Sequence, residues 1–99
     1  MPFVITWHQD EGTTEKRQQV RPLHLEHIIK SADRIIASGG LFSDDGTSYT
    51  GGLVILDTDA REEAVAWIES DPFFINKIFS TYTVHRWAKA IFDHKRVSI

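Results

Sequence analysis

Cysteine is absent from the 99 residues, so disulfides, zinc thiolates and cysteine nucleophiles are excluded, and any chemistry must come from histidine, carboxylate, hydroxyl or arginine groups. Positive charge is not in excess either: 11 Lys and Arg stand against 14 Asp and Glu. A net charge of -3 gives no basis for a nucleic-acid partner, since phosphate binding relies on concentrated cationic side chains. The apolar run of ~20 residues that a membrane span needs is missing, so no membrane partner is expected. The opening residues, Met1 to His8, have neither the basic start nor the long apolar stretch of a signal peptide, which leads to an expectation of the cytoplasm. Low complexity, linkers and internal repeats are also absent. What remains, 41% apolar and 25% charged, is the composition of a single globular domain over residues 1–99. A chain this short buries its own surface only moderately well, yet it must house three Trp and six Phe.

Phe3 to His8 is rich in β-branched and aromatic residues and is bounded by Pro2 and by Asp10-Glu11-Gly12, which predicts a first strand. Thr14 to Ser38 reads as helical, with Leu25, Ile28, Ile29, Ala32, Ile35 and Ile36 on one face. Pro22 either begins this helix or lies inside one that starts near Thr14. Gly39-Gly40 is expected to close it. Leu41 to Ser43 and Thr50 to Leu56, joined by the polar turn Asp44 to Ser48, form a hairpin. Asp57-Thr58-Asp59 starts a second helix that carries Ala64, Val65, Trp67 and Ile68 and ends near Ser70, before Asp71-Pro72. Phe73 to Phe79 reads as a short helical segment, and Thr81 to Trp87 as a last strand that could run on to Phe92. Lys89, Lys95 and Arg96 read as a solvated tail.

The order strand, helix, strand, strand, helix, strand is the α+β, ferredoxin-like βαββαβ arrangement, an antiparallel sheet with both helices on one face. Phe3-Val4-Ile5 and Leu53-Val54-Ile55-Leu56 are apolar at successive positions, so both faces of those strands need covering. A second copy of the same face is the simplest cover, which predicts a homodimer packed sheet to sheet.

Two positions stand out chemically. His24 borders the apolar stripe and is expected near the start of the helix, where the dipole would keep its imidazole neutral, with Arg17 and Arg21 as a positive rim; alternatively it is an ordinary edge residue. Asp71 is a helix-stopping cap or, if the helices run antiparallel, a carboxylate that orients the His24 imidazole for proton transfer. His27, three residues after His24, points toward solvent on the helical wheel; the two could share a metal, but no third ligand or zinc-type motif accompanies them, and no metal or cofactor is implied. Gly39-Gly40 and Gly51-Gly52 lack nucleotide-loop spacing. Trp67, Phe73, Phe74 and Phe79 read as core or subunit interface, with Phe73 or Phe74 a lesser candidate for a pocket wall.

Arg17-x-x-x-Arg21-Pro22-x-His24-Leu25, then Gly39-Gly40-Leu41, Gly51-Gly52 and Asp71-Pro72-Phe73, followed by a strand with Val84 and Trp87, resemble the YciI-like (YCII-related) family from about Phe3 to Trp87. The resemblance implies a dimeric α+β barrel and a catalytic dyad in a cleft, which maps onto His24 and Asp71. It further implies that the scaffold can support proton abstraction coupled to elimination, as in dehydrochlorination of a chlorinated hydroxyhydroquinone. The family often has Gly-Pro where Gly39-Gly40 stands, and the segment Ser43 to Thr50 is this chain's own, so substrate identity does not carry over. The expectation is a small enzyme acting by His-Asp proton transfer on a small anionic or phenolic molecule, with Arg21 and Arg17 holding its charge. The alternative is a non-catalytic ligand-binding or accessory dimer.

Overall fold

A computed structural model describes residues 1–97. Strand β1 (Phe3–His8) leads into helix α1 (Thr14–Lys30) and a 3₁₀ turn (Ala32–Arg34). Strands β2 (Ile35–Phe42) and β3 (Tyr49–Leu56) form a hairpin, followed by α2 (Arg61–Glu69), the single-turn α3 (Pro72–Ile75) and β4 (Tyr82–Arg86). A small separate hairpin, β5 (Ile91–Phe92) with β6 (Lys95–Arg96), completes the described chain. The main sheet has the order β2-β3-β1-β4 with every neighbour antiparallel. That is the expected α+β arrangement.

The long helix is shorter than its periodicity predicts. It ends at Lys30, where the Ser31 N–H closes back on the Ile28 carbonyl, and Ile35 and Ile36 begin β2. Periodicity alone places these isoleucines on the helix, but their branched side chains suit a pleated surface, and pairing of Ile35 with Leu56 places them in the sheet. Gly39-Gly40 therefore lies within β2 and caps no helix. The hairpin turn is built by Asp45, whose carboxylate accepts from the Ser43 and Thr47 hydroxyls and the Thr47 N–H. These donors hold the Asp45 carboxyl down to about 2. Pro22 lies inside α1, three residues after the last glutamine of its first half, and not at the helix start. The final strand stops at Arg86, and the tail expected to be solvated is exposed at Lys95 and Arg96 but folds back as the β5–β6 hairpin.

Alternation in β1 sends Phe3, Ile5 and Trp7 to the helical side, opposite Leu56, Val54 and Gly52 of β3. There they meet Ala64, Trp67 and Ile68 from α2 and Phe73, Ile78 and Phe79 beyond it. This core is concentrated under α2 and α3. Helix α1 contributes only Val20 to the fully buried set, and its closest packing is against α3 and not the sheet. A gap consequently opens between α1 and the β2–β3 half of the sheet. The other sheet face presents Val4, Leu53 and Ile55, each only half-buried.

Candidate functional site

Positions 17, 21, 24, 25 and 28 recur at the helical period, so Arg17, Arg21, His24, Leu25 and Ile28 share one face of α1. That face lines the gap over β2 and β3, a cleft of about 230 Å³. The opposite wall is low because Ser38, Gly39 and Gly40 have little or no side chain, and Trp7, Phe42 and Tyr49 complete it.

His24 lies well inside the 17-residue helix, not at its N-terminus. Free backbone N–H groups and the dipole field are confined to the first turn, so the expected dipole effect on this imidazole does not operate. Its environment is set by α3 instead. Pro72 occupies the first turn of α3, and Asp71 before it is extended (φ -65°, ψ 129°), with its carboxylate accepting the Phe73 N–H at 2.9 Å. The same carboxylate, fully buried, receives His24 Nδ1 at 2.9 and 3.0 Å from its two oxygens. The Phe73 ring stacks on the imidazole, with centroids 3.9 Å apart and planes 6° from parallel. One turn of chain thus supplies both an acceptor and a flat packing surface to one histidine. Asp71 is both a cap and a partner of His24, and the contact is made to the middle of α1, not between helix ends.

A carboxylate can only accept, so Nδ1 carries the hydrogen and Nε2 is left as the basic lone pair. The ring is 13% exposed and lines the cleft, so a small molecule there can meet Nε2. Arg21 is exposed at the rim. Arg17 is half-buried, with its guanidinium 3.3 Å over the Tyr49 ring centroid. Burial pushes the Tyr49 phenol above its ordinary value of 10.0, against the opposing pull of Arg17 and of the Trp7 indole N–H beside it. The structure therefore brings three of the four expected residues, Arg17, Arg21 and His24, to one cleft wall and places the fourth, Asp71, buried behind His24 and bonded to it.

His27 does not face solvent. Its ring packs on Trp67 at 4.7 Å and its Nε2–H donates to the Trp67 carbonyl at 3.1 Å, while the Trp67 indole N–H donates to Ser31 at 2.9 Å. Burial lowers the His27 pKa below 6.5, partly offset by the attraction of Asp71. Among the described residues, no group of three or more His, Asp or Glu side chains is placed to hold a metal ion. No described helix is long and apolar enough to cross a membrane.

Sequence reasoning passed over Trp7 and Tyr49. Trp7 carried one signal, its i, i+2, i+4 relation to Phe3 and Ile5, which puts it on the helical face. Gly52 opposite it is the complement: a Cβ there would overlap the indole, so glycine lets the ring lie against β3. Tyr49 lies at the end of the segment in which the sequence offers no pattern.

A sequence profile of the YCII-related domain matches residues 1–88. No curated protein is similar at a significant level. Among solved structures, this chain is similar to the 5-chloro-2-hydroxyhydroquinone dehydrochlorinase TftG of Burkholderia phenoliruptrix in complex with 2,5-dihydroxybenzoquinone, with a TM-score of 0.82 and 23% identity. The alignment covers 96% of this chain and 99% of that one, so the fold is shared along nearly the whole length.

Proposed function

The chain belongs to the YCII-related domain family, and from that premise we propose that it is an enzyme converting a small anionic or phenolic molecule by proton transfer at His24. The observation that carries the reading is the hydrogen bond from His24 Nδ1 to the fully buried Asp71 carboxylate at the wall of a cleft. Asp71 holds the tautomer that leaves Nε2 basic and stabilises the imidazolium once a proton arrives. Arg21 at the rim and Arg17 deeper in the cleft offset the substrate's negative charge. In an elimination, Nε2 takes the proton of an O–H or C–H bond and that bond's electron pair becomes a new π bond. The leaving group departs as an anion with its own bonding pair. The TftG comparison supports the choice of substrates to try: chlorinated hydroxyhydroquinones, followed by release of chloride and formation of a quinone.

The test is turnover of such compounds by wild-type protein and His24→Gln. General-base catalysis is worth about 10²- to 10⁴-fold, so His24→Gln is expected to lose that much kcat with its melting temperature nearly unchanged. A folded variant of undiminished activity removes the reading. If wild type binds these compounds without converting any, the cleft belongs to a ligand-binding module instead.

The same reading includes a homodimer. Val4, Leu53 and Ile55 lie side by side on the helix-free sheet face, with Val4 directly opposite Ile55. The covering occupant we assign to this face is a second copy of the chain, packed sheet to sheet.

A further inference from the structure

Tyr49 lines the cleft but has no part in the proton-transfer scheme, and its surroundings fix what its hydroxyl can do. The ring is held by three neighbours. The Arg17 guanidinium lies 3.3 Å over its centroid, Phe42 meets it edge-on at 5.8 Å, and Gly40 lets it lie close on β2, where an added Cβ would come to 3.0 Å from the ring. The Trp7 indole Nε1–H and the Arg17 Nε–H are sealed from solvent and have the phenol oxygen as their hydrogen-bond neighbour. The phenol itself is not sealed: Tyr49 is half-buried and opens on the cleft.

A phenol has one hydrogen to give and lone pairs with which to accept. Both hydrogen-bond neighbours of this one are N–H groups, which can only donate, so they engage the lone pairs and leave the O–H without an acceptor among the described residues. Asp71 acts on the phenol by its charge, while its oxygens serve His24 and the Phe73 N–H. The direction left for the O–H is the cleft. Burial raises the phenol above its ordinary value and outweighs the two N–H groups, so the hydrogen stays on at neutral pH. Donors on the oxygen also polarise the O–H bond, which strengthens the hydrogen bond it can give.

We infer that the Tyr49 hydroxyl donates a hydrogen bond to an anionic oxygen of a single-ring phenolic ligand in the cleft, and so selects rings that carry such an oxygen. Trp7 is a positioning residue that acts through Tyr49. The volume of about 230 Å³ is below the usual range for drug-sized ligands and suits one ring. His24 lines the same cleft, so base and donor serve one molecule. This inference rests on the proposed proton-transfer reading for the class of ligand, and it adds the residue that recognises the ligand's oxygen.

The test is calorimetric titration of wild-type protein, Tyr49→Phe and Trp7→Phe with 4-nitrophenolate, at a pH where the probe is fully ionised, and with nitrobenzene, the same ring without the oxygen. Tyr49→Phe should bind 4-nitrophenolate about 10- to 100-fold more weakly, the usual range for loss of one hydrogen bond to a charged group, and nitrobenzene as the wild type does. Trp7→Phe, which keeps a ring but loses the N–H, should weaken 4-nitrophenolate by about 2- to 10-fold and leave nitrobenzene unchanged. A further readout needs no variant: the absorption band of 4-nitrophenolate should move to shorter wavelength on the wild-type protein, because a hydrogen bond stabilises charge on the oxygen. An unshifted band overturns the inference, as does failure of the wild type to bind 4-nitrophenolate. A folded Tyr49→Phe with wild-type affinity for the phenolate, or with an equal loss for nitrobenzene, also overturns it. Wild-type phenolate affinity in Trp7→Phe removes the positioning role. The probe has no halide to lose, so the titration reports binding apart from turnover. A tyrosine-dependent affinity without conversion of chlorinated hydroxyhydroquinones keeps the hydrogen bond and removes the proton-transfer reading, and conversion undiminished in Tyr49→Phe does the reverse.

Discussion

Asp71 holds two positions at once, and substitutions can separate them. Asp71→Ala removes the α3 cap and leaves the His24 Nδ1–H without its acceptor in a nearly closed setting. The combined loss is about 2–4 kcal/mol, read as a fall in denaturant midpoint. Asp71→Asn keeps an oxygen for the Phe73 N–H but turns an N–H toward His24. The imidazole must then accept at Nδ1 and carry its hydrogen at Nε2, which reverses the role proposed for that atom. Activity is expected to fall on the order of 10²- to 10⁴-fold while stability falls by less than in Asp71→Ala, with the tautomer change visible in ¹⁵N spectra of the ring. At this scale the sequence was uneven. The pairing of His24 with Asp71 was legible from the helix pattern, the Asp-Pro stop and the family resemblance, although the dipole argument attached to His24 fails because the helix starts ten residues earlier. Trp7 and Tyr49 were not legible, because their proximity to Arg17 arises only when β1, β3 and α1 converge.

At the scale of elements, the cleft follows from where α1 is not held. α2 and α3 pack closely on β1 and β4 through large side chains, whereas the β2 positions on the α1 side are Ser38 and Gly40, paired with Val54 and Gly52 and too small to reach the helix. Read in sequence, the pair Gly39-Gly40 looks like a helix stop. In the sheet its members face opposite ways, Gly40 with Gly52 toward α1 and Gly39 with Leu53 toward the helix-free face. The reason the sequence misled is that Ile35 and Ile36 continue the helical spacing of Leu25 and Ile28, so only pairing with β3 reveals the strand. The C-terminal half of α1 is instead tied to α2 by His27 on the Trp67 carbonyl and by Trp67 on Ser31. Because burial lowers the His27 pKa, the unfolded chain takes up a proton before the folded one does as pH falls. Stability from this site is complete above the unfolded value of 6.5 and declines below it until the folded ring also protonates. Denaturant midpoints measured from pH 7.5 to 5 should therefore fall, and His27→Gln should show a shallower dependence. A midpoint that rises on acidification of the wild type, or an identical slope in the variant, contradicts the assignment.

For the whole molecule, the question raised by the composition was where 99 residues put so much apolar surface. The chain fills one side of its sheet and leaves the other open. Phe3, Ile5, Trp7, Val54 and Leu56 are buried beneath helices, while Val4, Leu53 and Ile55 between them are only half-covered by their own strand neighbours. The alternation of a strand makes this division unavoidable: residues adjacent in sequence face opposite ways, and helices on one side cannot cover both. The element order was predicted, with Trp67, Phe73 and Phe79 as core or interface, but not which strand residues turn toward the helices. Occupancy of the second face is a property of association, and a single chain's fold leaves it open. If a second copy packs there, the particle in solution should have twice the 11.3 kDa of the chain. Leu53→Glu together with Ile55→Lys should halve it, because each copy would bring both charges into an apolar contact. Sedimentation equilibrium of the two proteins decides the matter. A wild-type monomer at micromolar concentration removes the dimer. A variant that stays dimeric moves the interface to another surface, for which the exposed Leu23 and Ile29 on the outer side of α1 are then the place to look.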